Sequence, residues 1–152
     1  MTEDENSRHT VSVKVSELHD MIFLTPPKDV VMIYLMSRAA TGHLPVYFAA
    51  IPIELVRPFS TEYDPRRHRV GRQAVDAKKE DWLAGRFSKM WVYPDASSYV
   101  MSDDYITFYA AQEGQPDFLP CFILGETDDS RIKDLQGPIL VSDVRKALGF
   151  RD

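Results

Sequence analysis

Tyr99-Val-Met-Ser-Asp-Asp-Tyr-Ile-Thr-Phe-Tyr-Ala-Ala-Gln-Glu-Gly-Gln-Pro-Asp-Phe-Leu-Pro-Cys-Phe-Ile-Leu124 is the stretch on which the rest of the chain is organised. It reads as strand, tight turn, short helix, stop, strand. Tyr99 to Met101 is β-prone, and Ser102 and Asp103 carry side chains that cap helix starts. Ile106, Tyr109 and Ala110 recur at helical spacing, Gly114 supplies a C-terminal stop, and Pro116 cannot continue a helix. Phe118 to Leu124 is then an apolar run of strand length.

Upstream, His9 to Val15 alternates with valines on one face and predicts a strand, while Ser16 to Leu24 reads as a turn or short helical piece. Pro26-Pro27 opens a helix whose first turn holds Asp29, with Gly42 as its stop. Met32, Ile33 and Met36 make that helix apolar on more than one side, which predicts that it is well buried. Pro45 to Ala50 reads as a strand and Ile51-Pro52-Ile53 as a further extended piece. Arg57 to His68 reads as a loop held by Pro58 and Pro65, Val70 to Ala84 as a helix, and Met90 to Tyr93 as a strand turning at Pro94 to Ser97. Downstream, Gly125 to Asp134 reads as a polar surface loop, and Ser142 to Leu148 as a capped helix ended by Gly149. Short strands interleaved with helices argue for an α+β fold, a compact mixed β-sheet with helices packed on it.

The chain has 152 residues, which predicts one domain, residues 1–152, able to bury a core without metals or disulfides. A single cysteine, Cys121, excludes an intramolecular disulfide, and its apolar neighbours predict a buried, inert thiol. No run is long and apolar enough to span a membrane, and the acidic N-terminus lacks a signal-peptide pattern, so the expected location is the cytoplasm. The net charge of −5 is unevenly spread. Five arginines stand against Glu62 and Asp64 between Arg57 and Arg72, whereas residues 103–152 carry ten acids and five bases. A uniformly basic nucleic-acid-binding face is thereby excluded, and a local basic patch remains.

That patch is the leading candidate site. Arg66, Arg67, Arg69 and Arg72 lie just before and within the start of a helix, where guanidinium forks suit a phosphate or carboxylate. The competing reading is a solvated loop whose arginines pair with the protein's own acids. Asp103 and Asp104 form a weaker alternative, a divalent-cation site, for which helix capping is an equal explanation. The four histidines show no ligand spacing, Ser97-Ser98 has no placeable histidine partner, and no glycine-rich phosphate loop is present.

From Ile51 to Gly125 the order of elements resembles the N-terminal domain of the partition protein ParB and its sulfiredoxin relatives. Ile51-Pro52-Ile53 is similar to the family's opening strand, and Asp64-Pro65-Arg66-Arg67 to its Asn-Pro-Arg box. The 70–84 helix follows, then Met90 to Met101 as the hairpin, Asp103 to Gly114 as the signature helix and Leu119-Pro120-Cys121 as the last strand. The resemblance implies a ParB/sulfiredoxin-like core over 51–125, a strand–helix extension over 1–50, and a C-terminal loop and short helix over 126–152. It also shows a departure. Where the family's helix start brings glycine and arginines to a phosphate, this chain has Asp104, Ile106 and Thr107, and Cys121 falls in the following strand. Nucleotide hydrolysis and sulfiredoxin chemistry are therefore not expected, nor is a cofactor. The reading that follows is a non-enzymatic binding or regulatory module of bacterial or phage type, contacting nucleic acid, nucleotide or another anionic partner through Arg66, Arg67, Arg69 and Arg72. The alternatives are a divergent metal-dependent nuclease or nucleotide-acting enzyme using Asp103 and Asp104, and a protein-interaction adaptor.

Overall fold

The computed structural model describes residues 25–150, so the strand expected at 9–15 and the piece at 16–24 lie outside the described residues. Six strands form one mixed sheet: β1 (Val46–Pro52), β2 (Val56–Pro58), β3 (Met90–Asp95), β4 (Ser98–Met101), β5 (Phe118–Leu124) and β6 (Lys133–Gln136), in the order β2-β4-β3-β5-β1-β6. The helices are α1 (Val30–Ala40), α2 (Arg69–Leu83), α3 (Tyr105–Gly114) and α4 (Val141–Ala147), with single 3-10 turns at Ile53–Leu55 and Pro65–Arg67. The expected α+β class is what the chain adopts.

Side-chain alternation explains the layering. Successive strand residues point to opposite faces, and here both faces are covered. Met90, Val92, Tyr99 and Met101 join Val75 of α2 and Phe108, Ala110 and Ala111 of α3 in one core. Trp91, Tyr93 and Val100 join Met32 and Ala39 of α1 and Val144 of α4 in another. Met90 to Tyr93 therefore reads as an unbroken apolar run, because a strand covered on both sides has no wet face. The hairpin β3–β4 is antiparallel, with Ala96 at a φ of 56° in its turn, and β3 then lies parallel to β5 through Met90↔Cys121 and Val92↔Ile123. A parallel neighbour requires a crossover, and α3 supplies it between β4 and β5. Cys121 is fully buried in that strand, and burial pushes its thiol pKa up, as an inert thiol requires.

Four local expectations need correction. α1 begins after the prolines, with Asp29 as its cap and not in its first turn: the Asp29 carboxylate accepts from the N–H groups of Val31 (3.0 Å) and Met32 (3.3 Å) and from the Tyr93 hydroxyl (2.8 Å). The helix is also not buried all round. Met32, Ala39 and Ala40 are covered, but Val30, Ile33 and Tyr34 are exposed, because α1 packs on the sheet and α4 with one stripe only. At the end of α3 the left-handed residue is Gln115 (φ 54°), with Gly114 the last helical residue. The polar 125–134 segment runs into an edge strand, β6, whose four residues are all exposed and so carry no apolar alternation to read.

Candidate functional site

Asp64-Pro65-Arg66-Arg67 forms a single 3-10 turn because each residue suits its place. The Asp64 carboxylate accepts from the Arg66 N–H at 2.9 Å, and Pro65 follows in the first turn, where its missing N–H costs nothing. His68 is extended, and α2 starts at Arg69. The turn folds tightly onto that helix. A Cβ built on Gly71 would stand 1.9 Å from the Pro65 carbonyl oxygen, so only glycine allows the approach that presents the arginines together.

Two of the four candidate arginines converge on one carboxylate. Arg66 grips Asp64 through Nε (3.0 Å) and Nη2 (2.8 Å), and its Nη1 reaches Glu113 of α3 at 3.0 Å. Arg72 donates through Nη1 to Glu113 at 2.7 Å and through Nη2 to Asp76 at 2.6 Å. Lys79 adds a third cation to Glu113 at 3.1 Å. The Arg66 guanidinium also lies 4.3 Å from the centre of the Tyr109 ring, a cation–π contact. Tyr109 donates to the Tyr63 carbonyl (3.3 Å), Tyr63 packs edge-on against Tyr105, and the Tyr105 hydroxyl accepts from the Ser60 N–H (3.0 Å). The 59–68 segment is thus strapped along α3.

The electrostatics follow the contacts. Hydrogen bonds from Arg72, then Lys79 and Arg66, hold the Glu113 carboxyl well below the usual range against an opposing burial effect. Arg66 is raised by Asp64 and Glu113, and Arg72 by Glu113 and Asp76. Burial works to raise Asp64, but its bonds to Arg66 and the charges of Arg66 and Arg67 carry it down.

Arg67 and Arg69 sit differently. Both are exposed, flanking the start of α2, where the His68 side chain makes no capping hydrogen bond. The four arginines therefore do not form one open cradle. Arg66 and Arg72 are drawn to Glu113, and Arg67 and Arg69 are exposed residues at the positive end of a 15-residue helix. Sequence reasoning missed Lys79, two turns further along α2, and Tyr109 and Glu113, which lie far from the arginine run along the chain. The one available signal was that a helix with Glu113 in its last turn follows a helix rich in cations.

The alternative pair separates as well. Asp104 caps α3, accepting from the Thr107 N–H (3.0 Å) and hydroxyl (2.7 Å), so both of its oxygens are engaged. Asp103 makes no cap. It borders a concavity of about 110 Å³ with Pro26, Tyr63 and Tyr105. Protein packed around its carboxyl, with the Asp104 charge beside it, pushes it up to about 7. Among the described residues no three carboxylate, histidine or cysteine side chains are grouped as metal ligands would be, and no helix is long and apolar enough to cross a membrane.

No protein-family model and no curated protein sequence matches this chain. In structure it is similar to sulfiredoxin from Arabidopsis thaliana, with 16% identity and a TM-score of 0.38 over 53% of this chain and 86% of that one. It is also similar to the C-terminally truncated chromosome-partitioning protein ParB from Caulobacter crescentus complexed with CTP-gamma-S, with 18% identity and a TM-score of 0.39 over 69% of this chain and 54% of that one.

Proposed function

We propose that the protein is a non-enzymatic binding module that engages an anionic partner, a nucleic-acid backbone or a nucleotide phosphate, at the start of α2. The observation that carries this reading is the gathering of four arginines at one helix start. Arg66 and Arg72 pair with Glu113, Asp64 and Asp76 and fix the turn, and Arg67 and Arg69 are exposed at the adjoining start of α2. A helix N-terminus and two guanidinium forks attract the same kind of group. The metal-dependent alternative is less well supported, since both oxygens of Asp104 are used in capping α3 and no third ligand joins the pair among the described residues.

The test is fluorescence anisotropy with labelled single- and double-stranded DNA and with a nucleoside triphosphate, at several salt concentrations. Binding that weakens with salt, with a slope of about −1 to −2 for one or two neutralised phosphates, and that the double variant R67E/R69E abolishes, supports the reading. Binding untouched by the double variant, or no binding to any of these probes at low salt, refutes it.

A further inference from the structure

One exposed face lies on the opposite side of the sheet from the arginines and is not accounted for by them. Along α1, Val30 (66% exposed), Ile33 (51%) and Tyr34 (59%) form a stripe at the i, i+3, i+4 spacing of one helix side. Beside this ridge lies a concavity of about 520 Å³ between α1 and the end of α4, lined by Ile33, Met36, Ala40, Leu148 and Phe150, the last 48% exposed. Arg145 fixes its wall by donating to the Ala40 carbonyl (3.2 Å) and stacking over Phe150. Large aliphatic and aromatic side chains exposed to this degree leave on the order of 500 Å² of apolar surface uncovered, the upper end of what a monomer shows.

We propose that this face is a homodimer interface, occupied by a second copy of the same chain. Two observations select that occupant. The face holds both a ridge and a groove, so a two-fold contact seats the Val30–Ile33–Tyr34 ridge of each copy in the groove of the other, as an isologous interface requires. The area also fits. Interfaces are roughly 60% apolar, so about 500 Å² of apolar surface corresponds to about 800 Å² per partner, the size of a standard stable interface. Arg38, lying over the Tyr34 ring, and Arg145 supply the polar rim.

Sedimentation equilibrium of the 152-residue chain tests the proposal, alongside the variants I33D and V30E and a chain lacking residues 1–24. The expected result is a reversible dimer at micromolar to tens of micromolar concentration. Both single variants should shift it to monomer while keeping the wild-type circular dichroism spectrum, since both side chains are largely outside the core. A chain that stays monomeric at 100 µM overturns the proposal, as does a dimer indifferent to both substitutions. Dimerisation that appears only after removal of residues 1–24 overturns it too, because the face would then be covered by the protein's own N-terminal segment.

Discussion

Replacing Glu113 by glutamine tests the account of the arginine platform most sharply. The substitution keeps the shape but removes the single charge that Arg66, Arg72 and Lys79 share, leaving three cations gathered around a neutral amide. Hydrogen bonds to a charged group contribute roughly 1.5–3 kcal/mol when shielded, and exposed ion pairs about 0–1 kcal/mol. The Glu113 side chain is 21% exposed and lies between these limits, so a loss of about 2 kcal/mol is expected. For a domain of this size that lowers Tm by about 4–8 °C at neutral pH. The pH dependence has a definite sign. Glu113 is depressed in the folded state from an ordinary value of 4.5, so its stabilisation is fully present above that pH and is lost as pH falls toward the folded value. Each unit below removes about 1.4 kcal/mol, and the gap between wild type and E113Q should nearly close by about pH 3. Thermal melts by circular dichroism from pH 7 to pH 3 give the answer. A shift under 1 °C at pH 7, or a gap that does not change with pH, refutes the idea that the cations are held by this carboxylate.

Four further outcomes follow from the same contacts. E113Q should also bind inorganic phosphate or a nucleoside triphosphate more tightly than wild type, by several-fold in anisotropy competition, because the Arg66 and Arg72 forks are released from their internal partner. G71A should fail to fold or lose about 3 kcal/mol or more in urea melts, because its methyl meets the Pro65 carbonyl backbone with no flexible atom to yield. D29A should cost about 1–3 kcal/mol in the same assay, since it removes the α1 cap and leaves the buried Tyr93 hydroxyl without its acceptor. D103N should raise Tm slightly at pH 8 and leave it unchanged at pH 3: a carboxyl raised above its ordinary 3.8 stabilises the fold below that pH and loses this as pH rises through about 7.

The fold was legible where periodicity and punctuation agree. Phe118–Leu124 was readable to the residue and the 70–84 helix to within one, because a glycine or proline sits at the boundary and the apolar period is unambiguous between. Legibility failed where the cause is not local. β6 is held to β1 by pairing through Phe48↔Gln136 and Ala50↔Lys133, and a strand with no buried residue leaves no trace in its own composition. α1 reads as buried because hydropathy counts apolar residues without knowing how many sides of a helix are covered. The arginine run lies between these cases. Its residue types announce anion chemistry, but Glu113 lies 41 positions from Arg72 and 47 from Arg66, and only the packing of α2 against α3 makes them neighbours. Once they meet, the reading in which arginines pair with the protein's own acids holds for Arg66 and Arg72. On the function proposed above, that pairing would fix the turn and lower the ordering cost at which Arg67 and Arg69 meet a partner. Removing the internal pairing should still tighten anion binding, because the two forks released from Glu113 add more attraction than the lost ordering takes away.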